Sequence, residues 1–463
     1  MFENDTNREN TTQTNENTSN RDDLSLSPSE NANEVMFLLD VDVKGQGKHK
    51  YEVARNNREN YIRIFRNDKR FSNLRLNVVA GSPVIVNPNT QKRTPWLDED
   101  DAIARAYIES VYGLTTQQKY DDAIRAFLTT RKYNPVQEAI EATKWDGQRR
   151  AEEFLIKWAG AEDTPVNREC SRLLFAGAIK RAYEPGCKFD YCIVLIGHQG
   201  GGKSTLCRWL ALDDDFYTSI KTIHDQKGSE AIQGKWIVEI EELLAVLANE
   251  KAGTVKEEEA KAFISRQSEY YRRPWDRRVT DTLRTNIFIG TTNRNEFLTD
   301  PTGNRRWFPV RCNLSGYDLF DHEAECRQYI RQAYAEMLAA YRAGDPLSFA
   351  VADRKLEREI VARQKSAEVE DPWAGIVEAY VEGTLYNEAP LDKVCCLQVY
   401  EFAILGYGSG TNAKGYRSTD ANQLRAYTRK IASILVDKLG WIRGNSENFG
   451  EYGKAKAFYR PGS

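Results

Sequence analysis

One stretch constrains this chain more than any other. Residues 189–210, Phe-Asp-Tyr-Cys-Ile-Val-Leu-Ile-Gly-His-Gln-Gly-Gly-Gly-Lys-Ser-Thr-Leu-Cys-Arg-Trp-Leu, pass from a short apolar run through a glycine-rich turn into a helical pattern. Gly197, Gly202, Lys203 and Ser204 satisfy the P-loop spacing G-x-x-x-x-G-K-[ST]. Background composition yields this pattern by accident only about 0.02 times in a chain this long. The continuous run Cys192–Ile196 predicts a strand buried on both faces of a parallel sheet, and Thr205 to Leu212 predicts a helix. Backbone N–H groups at Gly197 and from Gly200, Gly201 and Gly202 to Thr205 then point donors and a partial positive charge at phosphates. Lys203 supplies a point charge to the β- and γ-phosphates, and the Ser204 hydroxyl a ligand for Mg²⁺. ATP with Mg²⁺ is therefore the expected occupant; a glycine-rich turn without a ligand is the bland alternative.

Two later strands complete that expectation. Gly234-Lys-Trp-Ile-Val-Glu-Ile-Glu-Glu-Leu243 is apolar and ends in acids. Hydrolysis of a triphosphate needs one carboxylate near the metal's water shell and another to orient or deprotonate the attacking water. Glu239, Glu241 and Glu242 compete for these roles, and strict alternation puts Glu239 and Glu241 on one face with Glu242 on the other. Thr285-Asn-Ile-Phe-Ile-Gly-Thr-Thr-Asn293 is a second apolar strand whose polar end suits contact with the same water. Beyond it, Asp300-Pro-Thr-Gly-Asn-Arg-Arg-Trp-Phe-Pro-Val310 sets Arg305 and Arg306 on a turn. Between the two strands, Tyr270-Tyr-Arg-Arg-Pro-Trp-Asp-Arg-Arg-Val279 interleaves aromatic and cationic residues. Arg272, Arg273, Arg277 and Arg278 suit phosphates while Tyr or Trp offers a stacking face, the pattern of a single-stranded DNA contact; a solvated loop anchored by aromatics is the alternative.

The remainder of the chain frames this centre. Residues 1–34 carry eight acidic against two basic residues, which exceeds the whole net charge of −3 and leaves the rest near +3. With almost no large apolar side chain, this stretch reads as a disordered acidic tail. Residues 35–150 read as a small α+β domain, 151–345 as the α/β core, 346–388 as a helical linker and 389–463 as a winged-helix-like domain. In the last of these Arg425, Arg429 and Lys430 fall on or near one helix face, which suits DNA and a protein partner alike. Asp40 and Asp42 evoke paired metal carboxylates, but too little chain surrounds them to house a polymerase-type fold. Asn134-Pro135 reads as turn chemistry at a junction. No apolar run approaches a membrane span, the N-terminus is polar, and eight cysteines without a C-x-x-C pair alongside four histidines offer no zinc spacing. A cytoplasmic chain with reduced thiols is expected.

Taken together, Pro185-Gly-Cys-Lys-Phe-Asp190, the P-loop, Lys235–Leu243, Ile289-Gly-Thr-Thr-Asn293 and Asp300–Phe308 resemble the virulence-associated protein E family. Trp145-Asp-Gly147 and Phe449-Gly-Glu-Tyr-Gly453 fit it as well. The resemblance implies a P-loop AAA+-like core of the superfamily 3 helicase type, serving replication of phages, prophages and mobile islands. By position it assigns Lys203 and Ser204 to the P-loop, Glu239 and Glu242 to the recurrent acids, with Glu239 beside the metal, Asn293 to the sensor, and Arg305 or Arg306 to an arginine finger. It implies a homo-oligomeric ring on single-stranded or forked DNA. A primase-type domain precedes this module in many relatives and is not evident here, so priming would fall to a separate protein. The rival readings are an ATP-switched initiator or loader that does not unwind, and a P-loop kinase with a small acceptor.

Overall fold

The computed structural model describes residues 27–462 apart from 222, 224, 244–254, 272–279, 299–303, 315–318, 349–353, 369–370 and 407–414. The chain divides into two compact units.

The first unit comprises residues up to 142 together with 233–235 and 268–283. Helices Arg58–Asn67, Asp98–Tyr112 and Gln117–Thr129 pack around an aromatic core in which Phe65 lies against Phe71, Tyr120 and Phe127. A four-stranded sheet runs in the order 93–95, 82–86, 74–77, 132–133, its last strand parallel to its neighbour and the others antiparallel. Part of the expected tail belongs to this unit. Ala32–Met36 is a short helix, and Ala32 and Val35 are buried in the core. Asp40 accepts from Arg63 at 2.7 Å and Asp42 from Arg55 at 2.8 Å, so each carboxylate has a cation of its own. Asn134-Pro135 starts a helix instead of breaking one. The Asn134 side chain accepts the N–H groups of Val136 and Gln137, and Pro135 occupies the first turn of Pro135–Glu141, where its missing N–H costs nothing.

The second unit is a mixed α/β fold built on five parallel strands. These are β1 (Cys192–Ile196), β2 (Tyr217–Ile220), β3 (Ile237–Ile240), β4 (Ile287–Thr292) and β5 (Trp307–Arg311). Their order across the sheet is β5-β1-β4-β3-β2. Every residue of β1, β3 and β4 is buried, which is why these segments read as unbroken apolar runs and not as alternations. Helices α1 (Pro165–Tyr183), α2 (Lys203–Leu210), α3 (Val255–Ser265), α4 (Glu323–Arg342) and α5 (Arg354–Ser366) accompany the sheet. Trp236, fully buried, donates from its indole N–H to the Ala178 carbonyl of α1 at 3.0 Å and stacks obliquely on Tyr334 of α4. Helix α5, expected within a linker, is part of the core: Gln364 donates to the Trp307 carbonyl of β5 at 2.8 Å, and Arg363 reaches Asn167 and Thr164 at the start of α1.

The C-terminal part of this unit has its own apolar cluster, including Val377, Val399, Ile431, Leu435, Trp441 and Phe458. Helices Pro372–Val381, Cys396–Val399 and Ala421–Ser433 surround it, the last two each continuing as a turn of wider π-type helix. A three-stranded antiparallel sheet closes it, in the order 393–394, 454–459, 442–448. Among the described residues no helix is long and apolar enough to cross a membrane. None of the eight cysteines is bridged.

Candidate functional site

Parallel strands bring their carboxyl ends to one edge of the sheet, and ligands of such sheets bind in the crevice beyond that edge, where the strand order switches. Here β1 lies between β5 and β4, and the glycine-rich loop leaves its carboxyl end. The Gly197 N–H donates to the Thr292 carbonyl at 3.2 Å, which ties the loop to the end of β4. Gly200 and Gly202 take φ of +78° and +84°, a region other residues enter only with strain, and Gly202 caps helix α2. Lys203 follows at once and curls back over the loop. Its Nζ donates to the Gly197 and His198 carbonyls at 2.8 and 2.7 Å, and the residue is only 9% exposed. Burial pulls the proton affinity of this ammonium below that of an ordinary lysine, with Glu239 acting in the opposite sense.

Glu239 is the hub of the site. Its carboxylate is fully buried at the end of β3. One oxygen accepts from Ser204 Oγ of α2 at 2.7 Å and from Thr291 Oγ1 of β4 at 2.6 Å, and the other accepts from the hydroxyl of Tyr217 at the start of β2. Three hydroxyls from three elements thus satisfy one buried acid. Burial, and then the bond to Glu239, hold the Tyr217 hydroxyl protonated well above the usual tyrosine range. Tyr217 was not among the residues singled out from the sequence. The short Tyr-Thr-Ser-Ile strand that begins with it is barely apolar, and no local signal marks it.

The acids at the end of β3 are not arranged by alternation. The strand stops at Ile240, so the period-two rule ends there. Glu239 is enclosed, Glu241 is half-buried with Lys221 at 3.3 Å, and Glu242 is exposed at φ +47°. That φ is uncommon for a long side chain, and strain of this kind clusters at functional sites. Glu241 and Glu242 line a cleft of about 320 Å³ whose other walls include Gly200 to Thr205, Thr291, Thr292 and Asn293. The structure therefore brings together the loop residues, both outer acids and Asn293, with Glu239 buried behind Ser204.

It does not bring the two arginines there. Arg305 and Arg306 sit on a turn that enters β5 at its amino end, beside the amino end of β1, whereas the loop follows the carboxyl end. They line a separate cavity of about 330 Å³ with Lys188, Asp190, Tyr191 and Phe308. Arg306 is held there, donating to Ser265 Oγ at 2.7 Å and lying 3.9 Å from Asp190, while Arg305 is exposed. Arg272, Arg273, Arg277 and Arg278 lie outside the described residues; the flanking strands Ser268–Tyr271 and Thr280–Leu283 pair with one another.

Residues 140–370 match the family model described as the virulence-associated protein E-like domain. Those residues are similar to that domain. The loop, β3 with its acids, Asn293 and both arginines all fall inside the matched residues, while the C-terminal helices and three-stranded sheet fall beyond them. No curated protein matches the chain. Solved structures similar to it include "The A form apo structure of NrS-1 C terminal region-CTR(305-718)", 14% identical with a TM-score of 0.46 over 84% of this chain and 96% of that one. Another is "The apo structure of NrS-1 C terminal region (305-718)", 14% identical with a TM-score of 0.41 over 83% of this chain and 95% of that one.

Proposed function

We propose that the chain is an ATP-hydrolysing DNA translocase or helicase of the superfamily 3, AAA+ type, acting as a homo-oligomeric ring on single-stranded or forked DNA. The observation that carries this reading is the bond from Ser204 to the buried Glu239 beside Lys203, which joins the glycine-rich loop to the acid-ended strand across β4. The donor set suits Mg²⁺, a hard cation that takes oxygen ligands: a hydroxyl and a carboxylate lie within one hydrogen bond of each other at the mouth of a phosphate-sized loop. Ser204 would hold the ion and Glu239 would hold its water shell. Bound there, Mg²⁺ supplies charge neutralisation on the β- and γ-phosphate oxygens.

The chain's own groups do the rest. N–H groups from Gly200 to Thr205 bind the phosphates, and Lys203 leaves the loop carbonyls for the phosphate oxygens. Glu242 or Glu241 accepts a proton from the attacking water, and Asn293 orients that water from the end of β4. Tyr217 and Thr291 hold the Glu239 carboxylate in place beside Ser204. The similarity to that domain supports a role in replication of a phage or mobile element, and a winged-helix reading of the C-terminal part accords with a DNA partner.

Phosphate release measured with and without single-stranded DNA, beside strand displacement on a forked duplex, tests the proposal. DNA-stimulated release with displacement is the expected result. Stimulated release without displacement would leave the initiator or loader reading, and transfer of phosphate to a small acceptor would replace it with a kinase. A second test addresses Glu239. Partners one shell out from a metal site typically alter affinity or activity about 10- to 100-fold, so Tyr217→Phe is expected to raise the Mg²⁺ concentration needed for half-maximal turnover by that factor. An unchanged Mg²⁺ dependence would make the tyrosine a packing residue only.

A further inference from the structure

The C-terminal part of the chain is charged unlike the rest. Residues 389–463 hold eleven Lys and Arg against six Asp and Glu, in a chain whose net charge is −3. The acids of this region are largely committed. Asp420 caps helix Ala421–Ser433 by accepting the N–H groups of Asn422 and Gln423, Asp437 takes the Ser433 hydroxyl, Glu447 pairs with Lys393 at 3.0 Å, and Glu401 accepts from Tyr452 at 2.6 Å. Several cations are left over. Among the described residues Arg425, Arg429, Lys454 and Lys456 have no acidic partner, and all four are exposed.

Their placement is ordered. Asn422, Arg425 and Arg429 recur at helical spacing on the outer face of Ala421–Ser433, with Gln423 beside them, all exposed, while Leu424, Tyr427 and Ile431 turn inward. The helix is fixed at its inner face: Tyr427 packs on Trp373 and Tyr400, and Lys430 pairs with Asp371 at 3.0 Å. Lys454 and Lys456 are two residues apart on the last strand, Lys454–Tyr459, and so on one face of it. A helix with its side chains is about 10–12 Å across and the major groove of B-form DNA about 12 Å wide. Asn and Gln are the side chains that pair with adenine edges, Arg with guanine edges or phosphates, and Lys with phosphates.

We propose that the outer face of Ala421–Ser433 is a duplex-DNA docking surface that enters the major groove, with Lys454 and Lys456 holding phosphates of the duplex backbone. It shares with the proposed function only the idea of a nucleic-acid partner and does not depend on nucleotide hydrolysis. An acidic protein partner would use the cations but leave Asn422 and Gln423 without a purpose.

The test is fluorescence anisotropy of the full chain, without nucleotide, on a labelled mixed-sequence duplex and on one of its strands across a salt series. Each lost phosphate contact lowers the slope of log K against log salt by about 0.9 for duplex, so Arg425→Ala with Arg429→Ala, and separately Lys454→Ala with Lys456→Ala, should each flatten it by up to about 1.8. Asn422→Ala with Gln423→Ala should keep the slope and change the sequences enriched from a randomised duplex pool. Lys203→Ala should bind duplex as the parent does, which separates this surface from the hydrolytic site. Failure of the parent chain to bind duplex, slopes unchanged in both cation variants, or a change confined to the single strand would each overturn the proposal. These substitutions are on exposed side chains, and a circular dichroism melt matching the parent confirms that the fold is intact.

Discussion

Lys203→Ala is expected to abolish ATP turnover. The lysine stands at the head of α2 with its ammonium bonded to the Gly197 and His198 carbonyls, inside a pocket that leaves it 9% exposed. Burial already disfavours its charge. An incoming triphosphate brings anionic oxygens up to the ammonium, and in a partly desolvated cleft that attraction is worth far more than in water. As phosphate is transferred, charge shifts among the oxygens that the ammonium faces, so its loss falls on the transition state. Removal of a single preorganised donor at such a place typically costs about 10²- to 10³-fold in rate. The two carbonyls that lose their donor border an open cleft where water replaces it, so folding should be little affected. Steady-state phosphate release, with nucleotide binding and thermal unfolding measured alongside, separates the effects. A variant that keeps most of the parent kcat would sink the assignment. Lys203→Arg should not rescue it, because a planar fork of five donors does not fit where a compact ammonium curls onto two carbonyls.

What was legible in the sequence follows a physical rule. Cys192–Ile196 and Ile287–Thr292 announce themselves because a parallel strand covered on both faces must be apolar throughout, and the glycines of the loop because positive φ admits little else. The cage around Glu239 was not legible. Its hydroxyls come from Ser204, Tyr217 and Thr291, and only the strand order β4-β3-β2 brings them together. Glu241 and Glu242 were misplaced by extending alternation past Ile240, where the strand has ended. Asn134-Pro135 carries the same residues whether it closes a turn or opens a helix, and the apolar positions that follow, Val136 and Ile140, decide in favour of the helix. Helix α5 looked like a linker because its sequence is rich in Arg, Lys and Glu, yet Leu356, Ile360 and Gln364 form a narrow buried stripe at helical spacing.

The two arginines ahead of β5 raise the question of where hydrolysis is completed. Within the chain they lie at the amino ends of β1 and β5, and five strand residues separate them from the glycine-rich loop, a span of about 16 Å at 3.3 Å per residue. An arginine side chain does not cross that distance. If either acts on a γ-phosphate, it acts on a neighbour's, and the geometry favours Arg305, since Arg306 is engaged with Ser265 and Asp190 in its own subunit. Arginine fingers are worth roughly 10³ to 10⁵ in rate, so Arg305→Ala should bind ATP as the parent does and hardly hydrolyse it. Arg306→Ala should instead loosen its own subunit. Mixing decides whether the finger works between subunits. Arg305→Ala and Lys203→Ala are each expected to be inactive alone, and their co-assembly to recover activity, because one interface then joins an intact loop to an intact finger. If co-assembly is demonstrated by light scattering and no mixing ratio restores phosphate release, the shared site is rejected. A chain that stays monomeric with ATP and DNA present, at full specific activity, would reject the ring itself.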